Sequence, residues 1–109
     1  MNIRPLTHDF SVSAQILPSD LPQLKAKGFR AIICNRPDRE DPGQPSFAEI
    51  AAAAAKVGIE ARHIPVRPDS IGVADVAAFG RAIKELPAPV LGYCRSGGRS
   101  AAMWEKSRA

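Results

Sequence analysis

The chain has 109 residues, 45% of them hydrophobic and 24% charged, with a formal net charge of +4. That length supports one core but not two, and the ordinary apolar and charged content excludes disordered, fibrous and disulfide-framework classes. The dispersed basic residues and 6% aromatic content suit a small anionic substrate better than nucleic acid. No apolar run reaches membrane-spanning length, and Met1 to Asp20 places Arg4, His8 and Asp9 where a signal peptide would be apolar. The two cysteines, Cys34 and Cys94, build no disulfide framework, and no Cys/His cluster has zinc-site spacing. The chain therefore reads as cytoplasmic, with no membrane partner and no metal or organic cofactor.

Ile3 to Pro5 and Phe10 to Ile16 read as short strands, with Phe10, Val12 and Ala14 alternating against Ser11 and Ser13. Ser19 or Asp20 can cap a helix whose apolar side is Leu21 and Leu24, and Gly28 stands where its C-terminal cap belongs. Arg30 to Asn35 is a short continuous apolar run, the pattern of an interior parallel strand. Arg36 to Pro45 is polar and proline-bearing, a loop. Ser46 and Glu49 form a capping box ahead of the alanine-rich helix Ile50 to Val57, which Gly58 ends. Ile59 to Val66 is the next strand, and Arg67 to Gly72 a loop. Val73 to Leu86 is a helix with Val76, Phe79 and Ile83 along one stripe, closed by Pro87 and Pro89.

Pro89 to Tyr93 is the last strand, and a final helix begins near Arg99 and runs to Ala109. Strands alternating with helices of this length predict an α/β domain over 1–109. Its mostly parallel central sheet is flanked by helices on both faces, with ligands beyond the carboxyl ends of the strands. Cys94, the loop after Asn35 and the loop after Val66 all fall on that edge.

The stretch Cys94-Arg95-Ser96-Gly97-Gly98-Arg99-Ser100 joins the last strand to the last helix. The first turn of a helix offers unpaired N–H groups and the positive end of the macrodipole, so a sulfur placed there ionises more readily. Gly97 and Gly98 allow positive φ, which turns loop amides inward as an anion nest. Arg99 can hold an anion bidentately. Cys94 is thus the candidate nucleophile, with Arg95, Ser96, Gly97, Gly98 and Ser100 as the anion-binding loop. Arg95 is expected to point outward and recruit anions, with simple solubility as the alternative. Asp69, in the loop after the third long strand, is the best-placed candidate acid, with a plain Pro-Asp turn as its equal alternative; Asp38 is a second choice. His63 and Trp104 read as structural. Cys34 reads as core, with a resolving thiol for Cys94 as the lesser alternative.

These residues carry a resemblance. Four residues between Cys94 and Arg99 resemble the active loop of rhodanese sulfurtransferases, whereas tyrosine and dual-specificity phosphatases use five. Ser13 to Gln15, Leu21 to Gly28 and Phe29 to Glu40, by contrast, resemble the opening of dual-specificity-like phosphatases. Across nearly all 109 residues the chain is similar to the bacterial beta-lactamase-hydrolase-like family. That phosphatase-like domain occurs alone or fused to persulfide-dioxygenase-type enzymes, so the resemblance implies such a partner by fusion or association. It also implies a cysteine-phosphatase-like fold, for which the last helix is short, and this leaves open whether the native chain continues past Ala109 or ends there.

Within the resemblance, Ser100 could donate its hydroxyl to the Cys94 thiolate, and Tyr93 replaces the histidine that usually precedes the phosphatase cysteine. Three readings follow. The first is a phosphomonoesterase working through a phosphocysteine. The second is a sulfurtransferase carrying a persulfide on Cys94, its substrate thiosulfate or a persulfide. The third is a non-catalytic anion-binding module.

Overall fold

The computed structural model describes residues 1–108. Five strands form one sheet: β1 (Arg4–Pro5), β2 (Phe10–Ser13), β3 (Ala31–Cys34), β4 (Glu60–His63) and β5 (Val90–Tyr93). Their spatial order is β1-β2-β5-β3-β4, with β1 antiparallel to β2 and the other pairs parallel. Four helices, α1 (Leu21–Ala26), α2 (Phe47–Lys56), α3 (Val73–Glu85) and α4 (Gly98–Arg108), cover the two faces, the first three as crossovers between parallel strands. The expected α/β class and mostly parallel sheet are what the chain forms. The last helix ends at Arg108, and the expected extension to Ala109 lies outside the described residues. Among the described residues no helix is long and apolar enough to cross a membrane.

The alternation of side chains along each strand sorts the core into two layers. Phe10, Val12, Ile33, Phe79, Ala82, Val90 and Met103 pack on the α3/α4 face, and Ile16, Leu21, Leu24, Ile32, Ile50, Leu91 and Tyr93 pack on the α1/α2 face. Full burial of each large side chain contributes roughly 1.5–3 kcal/mol, so this double layer fixes the strand register on which the loops at the carboxyl edge depend.

Gly92 is the one place in β5 where a side chain cannot stand. A Cβ there would lie 2.7 Å from a Phe10 ring carbon and 3.3 Å from Ser100 Cβ. Its absence lets α4 begin tight against the sheet. Helix α2 is capped as its sequence predicts, the Glu49 amide donating to Ser46 Oγ at 3.1 Å. Asp38 adds to this cap from the preceding loop, its Oδ1 accepting from the Phe47 amide at 2.8 Å.

Candidate active site

Cys94 follows β5, the strand flanked by both β2 and β3, and is 1% exposed. The chain then turns through Arg95, Ser96 and Gly97 into the first turn of α4. Gly97 sits at φ 96°, and a Cβ there would press within 3.3 Å of the Ser13 carbonyl oxygen. This left-handed turn needs glycine, and it aims the Gly97 N–H at Cys94 Sγ, 3.1 Å away. Of the two glycines expected at positive φ, only Gly97 adopts it; Gly98 is instead the first residue of α4. Burial pushes the Cys94 thiol up, but hydrogen bonds from the amides of Ser100, Ser96, Gly97 and Arg99 outweigh it and leave the pKa below the ordinary value. The loop therefore gathers its donors around the sulfur.

Arg99, 9% exposed, does not stand free. Its Nη1 donates to Glu40 Oε2 at 2.7 Å and to the Val66 carbonyl at 3.0 Å, and its Nη2 donates to Glu40 Oε1 at 2.8 Å. A two-point grip of this kind fixes the plane of the guanidinium. Glu40 is itself held from behind by Arg36, 4% exposed, whose Nε donates to Oε1 at 2.9 Å while its Nη1 reaches Gln15 Oε1 at 3.0 Å. Hydrogen bonding to Arg99 and then Arg36 lowers the Glu40 carboxyl to about 2, although burial opposes the shift. The same pair raises Arg99, with the nearby Cys94 contributing. Arg39, at φ 65°, is a non-glycine residue in the left-handed region, a conformation costing on the order of 1–3 kcal/mol. It turns the loop so that Glu40 faces the sheet edge.

The remaining predicted residues fall as follows. Arg95 is 71% exposed, as expected, and its Nε lies 3.3 Å from Asp41 Oδ2; Asp41 also accepts from Arg36 Nη2. Ser100 is fully buried, and its hydroxyl donates to Asn35 Oδ1 at 2.8 Å, not to Cys94. The amide of Ser100 serves the sulfur instead. The sequence marks Asn35 only as a strand end, but it is a joint. Its Nδ2 donates to the Ile64 carbonyl at 2.9 Å and its N–H to the Tyr93 carbonyl at 2.8 Å, tying β3, β5, α4 and the segment after β4 together.

Asp69 occupies the exposed tip of a four-residue turn closed by the Ser70 amide on the Arg67 carbonyl. Its neighbour Pro68, rather than Asp69 itself, lines the cleft beside Arg95 and Arg99. Asp38 is engaged as the α2 cap. His63 stacks on Phe47 and contacts the Arg36 carbonyl, and Trp104 stacks on Phe10. Cys34 ends β3, its thiol donating to the Arg36 carbonyl at 3.3 Å, and burial pushes its pKa up. Beside it, the buried Tyr93 hydroxyl has no hydrogen-bond partner among the described residues. Glu40, Asp41, Arg36 and Asn35 are the residues that motif reasoning missed. The visible signal was an arginine directly after a strand, followed within five residues by two adjacent acids.

A buried thiol ringed by amides at the carboxyl edge of a parallel sheet, on this strand order, is the architecture of the protein-tyrosine-phosphatase-like fold. The model of the family "Beta-lactamase hydrolase-like protein, phosphatase-like domain" matches residues 2–109, and the chain belongs to that family. It is 36% identical over 94 residues to a beta-lactamase hydrolase-like protein of Agrobacterium fabrum, an alignment covering 86% of this chain and 22% of the relative. The chain thus spans about a fifth of that relative's length. The crystal structure of a "putative phosphatase" from Neisseria meningitidis superposes with a TM-score of 0.92 at 38% identity, covering 99% of this chain and 77% of that one. TpbA of P. aeruginosa, solved with pTyr, shares the fold at a TM-score of 0.67 and 17% identity, covering 94% of this chain and 59% of that one.

Proposed function

We propose that this domain is a cysteine-dependent phosphomonoesterase. The observation that carries the reading is the buried Cys94 sulfur with a loop amide aimed at it and an arginine clamped beside it, an arrangement in which the loop amides lower the thiol pKa. In this reading the thiolate attacks phosphorus in line and the phosphorus–oxygen bond to the leaving alcohol breaks. The leaving oxygen takes a proton from Asp69. Water then attacks the phosphocysteine, returns a proton to Asp69 and releases phosphate and the thiolate. The loop amides and Arg99 stabilise the equatorial oxygens. Glu40 and Asp41 are taken up by arginines and Asp38 by the α2 cap. Asp69 has no such engagement among the described residues, and it sits one residue from Pro68, which lines the cleft; this reading therefore gives it the role of the acid. The two unpaired thiols suit a reducing, cytoplasmic setting, and longer relatives suggest a covalently joined partner.

One observation favours a second reading. The Gly97 amide rests 3.1 Å from the sulfur itself, and the loop places only four residues between Cys94 and Arg99. A ring that tight suits a sulfane sulfur on Cys94. In that case the thiolate attacks the outer sulfur of thiosulfate, sulfite leaves with the electron pair, and the persulfide passes to a thiol acceptor. Rapid quenching with an aryl phosphate, then with thiosulfate, followed by mass spectrometry of the Cys94 peptide, separates the two. A phosphoryl adduct is the expected result. A sulfane adduct alone transfers the conclusion to the second reading, and no adduct with either reagent removes both.

A further inference from the structure

A second concavity lies on the α3/α4 face, a groove of about 810 Å³ between the two helices. Its floor is apolar, with Val76 and Ile83 from α3 and Trp104 from α4, and Val73, 88% exposed, stands at one end. Gly80 carries no side chain into it, and α4 comes close there: a Cβ would stand 3.8 Å from Ser107 Cβ. The walls are basic. Arg81 and Lys84 on α3 and Lys106 and Arg108 on α4 are all exposed, and the Arg108 guanidinium lies over the Trp104 ring, 4.3 Å from its centroid. Of the acids on these helices, Asp75 caps α3, Glu85 pairs with Arg62, and Glu105 lies outside the groove. None of the four cations has an ion-pair partner among the described residues. Only Ile71 is common to this groove and the cleft of Ser96, Gly98 and Arg99, so the two surfaces are separate.

We infer that this groove is a docking site for an acidic amphipathic helix of a partner protein. A groove between two packed helices takes the apolar stripe of a third, and Trp and Arg are the side chains that dominate such contacts. Carboxylates flanking that stripe would neutralise four cations that otherwise repel one another across the groove. Helix α3 has 13 residues, a length of roughly 20 Å, so the occupant spans roughly three to four turns. A second copy of this chain fits poorly, since it brings a net charge of +4 of its own. A lipid surface fits poorly too, because a bilayer does not enter a concavity between helices and would leave Val76 and Ile83 uncovered. The inference rests on no reading of the Cys94 chemistry.

Trp104 is the only tryptophan of the chain, so its fluorescence reports on the groove directly. The probe is a peptide of about 14 residues, free of Trp and Tyr, with Leu at i, i+3, i+4 and i+7 and Glu on both flanks. It is compared with an isomer whose Leu positions are scrambled and with vesicles of phosphatidylserine and phosphatidylcholine. Titration with the peptide should shift the Trp104 emission to saturation, with a Kd about tenfold lower than for the isomer. Arg81→Glu combined with Lys84→Glu should raise that Kd about tenfold, and added salt should raise it too. The rate of Cys94 alkylation should stay at the parent value in that variant. Equal Kd for peptide and isomer, or for parent and double variant, overturns the proposal. So does an emission change produced by the vesicles but not by the peptide, or by neither.

Discussion

The Cys94 sulfur is pulled two ways, and the contest is decided by main-chain atoms. Burial disfavours the thiolate, and four N–H groups favour it more strongly. Cys34, buried in the same sheet without such a ring, has its thiol pushed up instead. The contrast gives a direct prediction. A lowered pKa keeps the reactive thiolate populated as pH falls below the ordinary thiol value of 9.0, so Cys94 should alkylate readily near neutral pH. Cys34 should stay unreactive well above it until the protein unfolds. Equal rates for the two thiols across the titration would contradict the account.

Gly97 carries the geometry on which this rests. Gly97→Ala forces a Cβ against the Ser13 carbonyl in a left-handed turn. It should destabilise by roughly 1–3 kcal/mol and slow Cys94 alkylation, both measurable on one purified variant. These residue-scale facts were partly legible. The cysteine, the glycine and the arginine announce themselves by spacing. Which way the Ser100 hydroxyl points is decided by Asn35, 65 positions earlier, and no local pattern encodes it.

At the scale of elements, the loop from Arg36 to Pro45 is more than a connection. Its polar composition predicts a solvated turn, and it delivers instead a buried arginine and a carboxylate that grips Arg99 across 59 residues of sequence. Pairing of this kind depends on two loops meeting at one sheet edge, so composition and periodicity carry no trace of it. Helix caps, by contrast, act within a turn, and the Ser46/Glu49 box was readable for that reason.

Glu40→Gln leaves Arg99 buried without its carboxylate partner and Arg36 with only Asp41 and Gln15, which should cost about 3 kcal/mol and lower Tm by roughly 10–20 °C for a domain of this size. The sign with pH follows from the lowered carboxyl. Its folded value, about 2, lies below the ordinary 4.5, so its stabilisation is complete above pH 4.5 and lost as pH falls toward 2. Acid titration of stability should therefore be shallower in Glu40→Gln than in the parent over that window. Parallel curves would remove Glu40 from its role. Asp38→Ala, which removes only a helix-cap acceptor, should cost about 1 kcal/mol and leave Cys94 reactivity unchanged.

For the whole molecule, the alternation of strand and helix sufficed to predict a parallel sheet and the edge where the loops converge, because each crossover obeys the same packing rule. It did not reveal that the site is electrically layered, with a thiol under amides, an arginine beside it, and two carboxylates behind the arginine. Nor does the fold by itself choose the chemistry, which is decided by the residues of the site. The most direct test divides one preparation between an aryl phosphate and thiosulfate with cyanide, beside Cys94→Ser and Asp69→Asn. The account predicts phosphate release that Cys94→Ser abolishes and Asp69→Asn reduces by about 10²-fold or more. Cys94-dependent sulfur transfer without phosphate release, or silence in both assays, would contradict it.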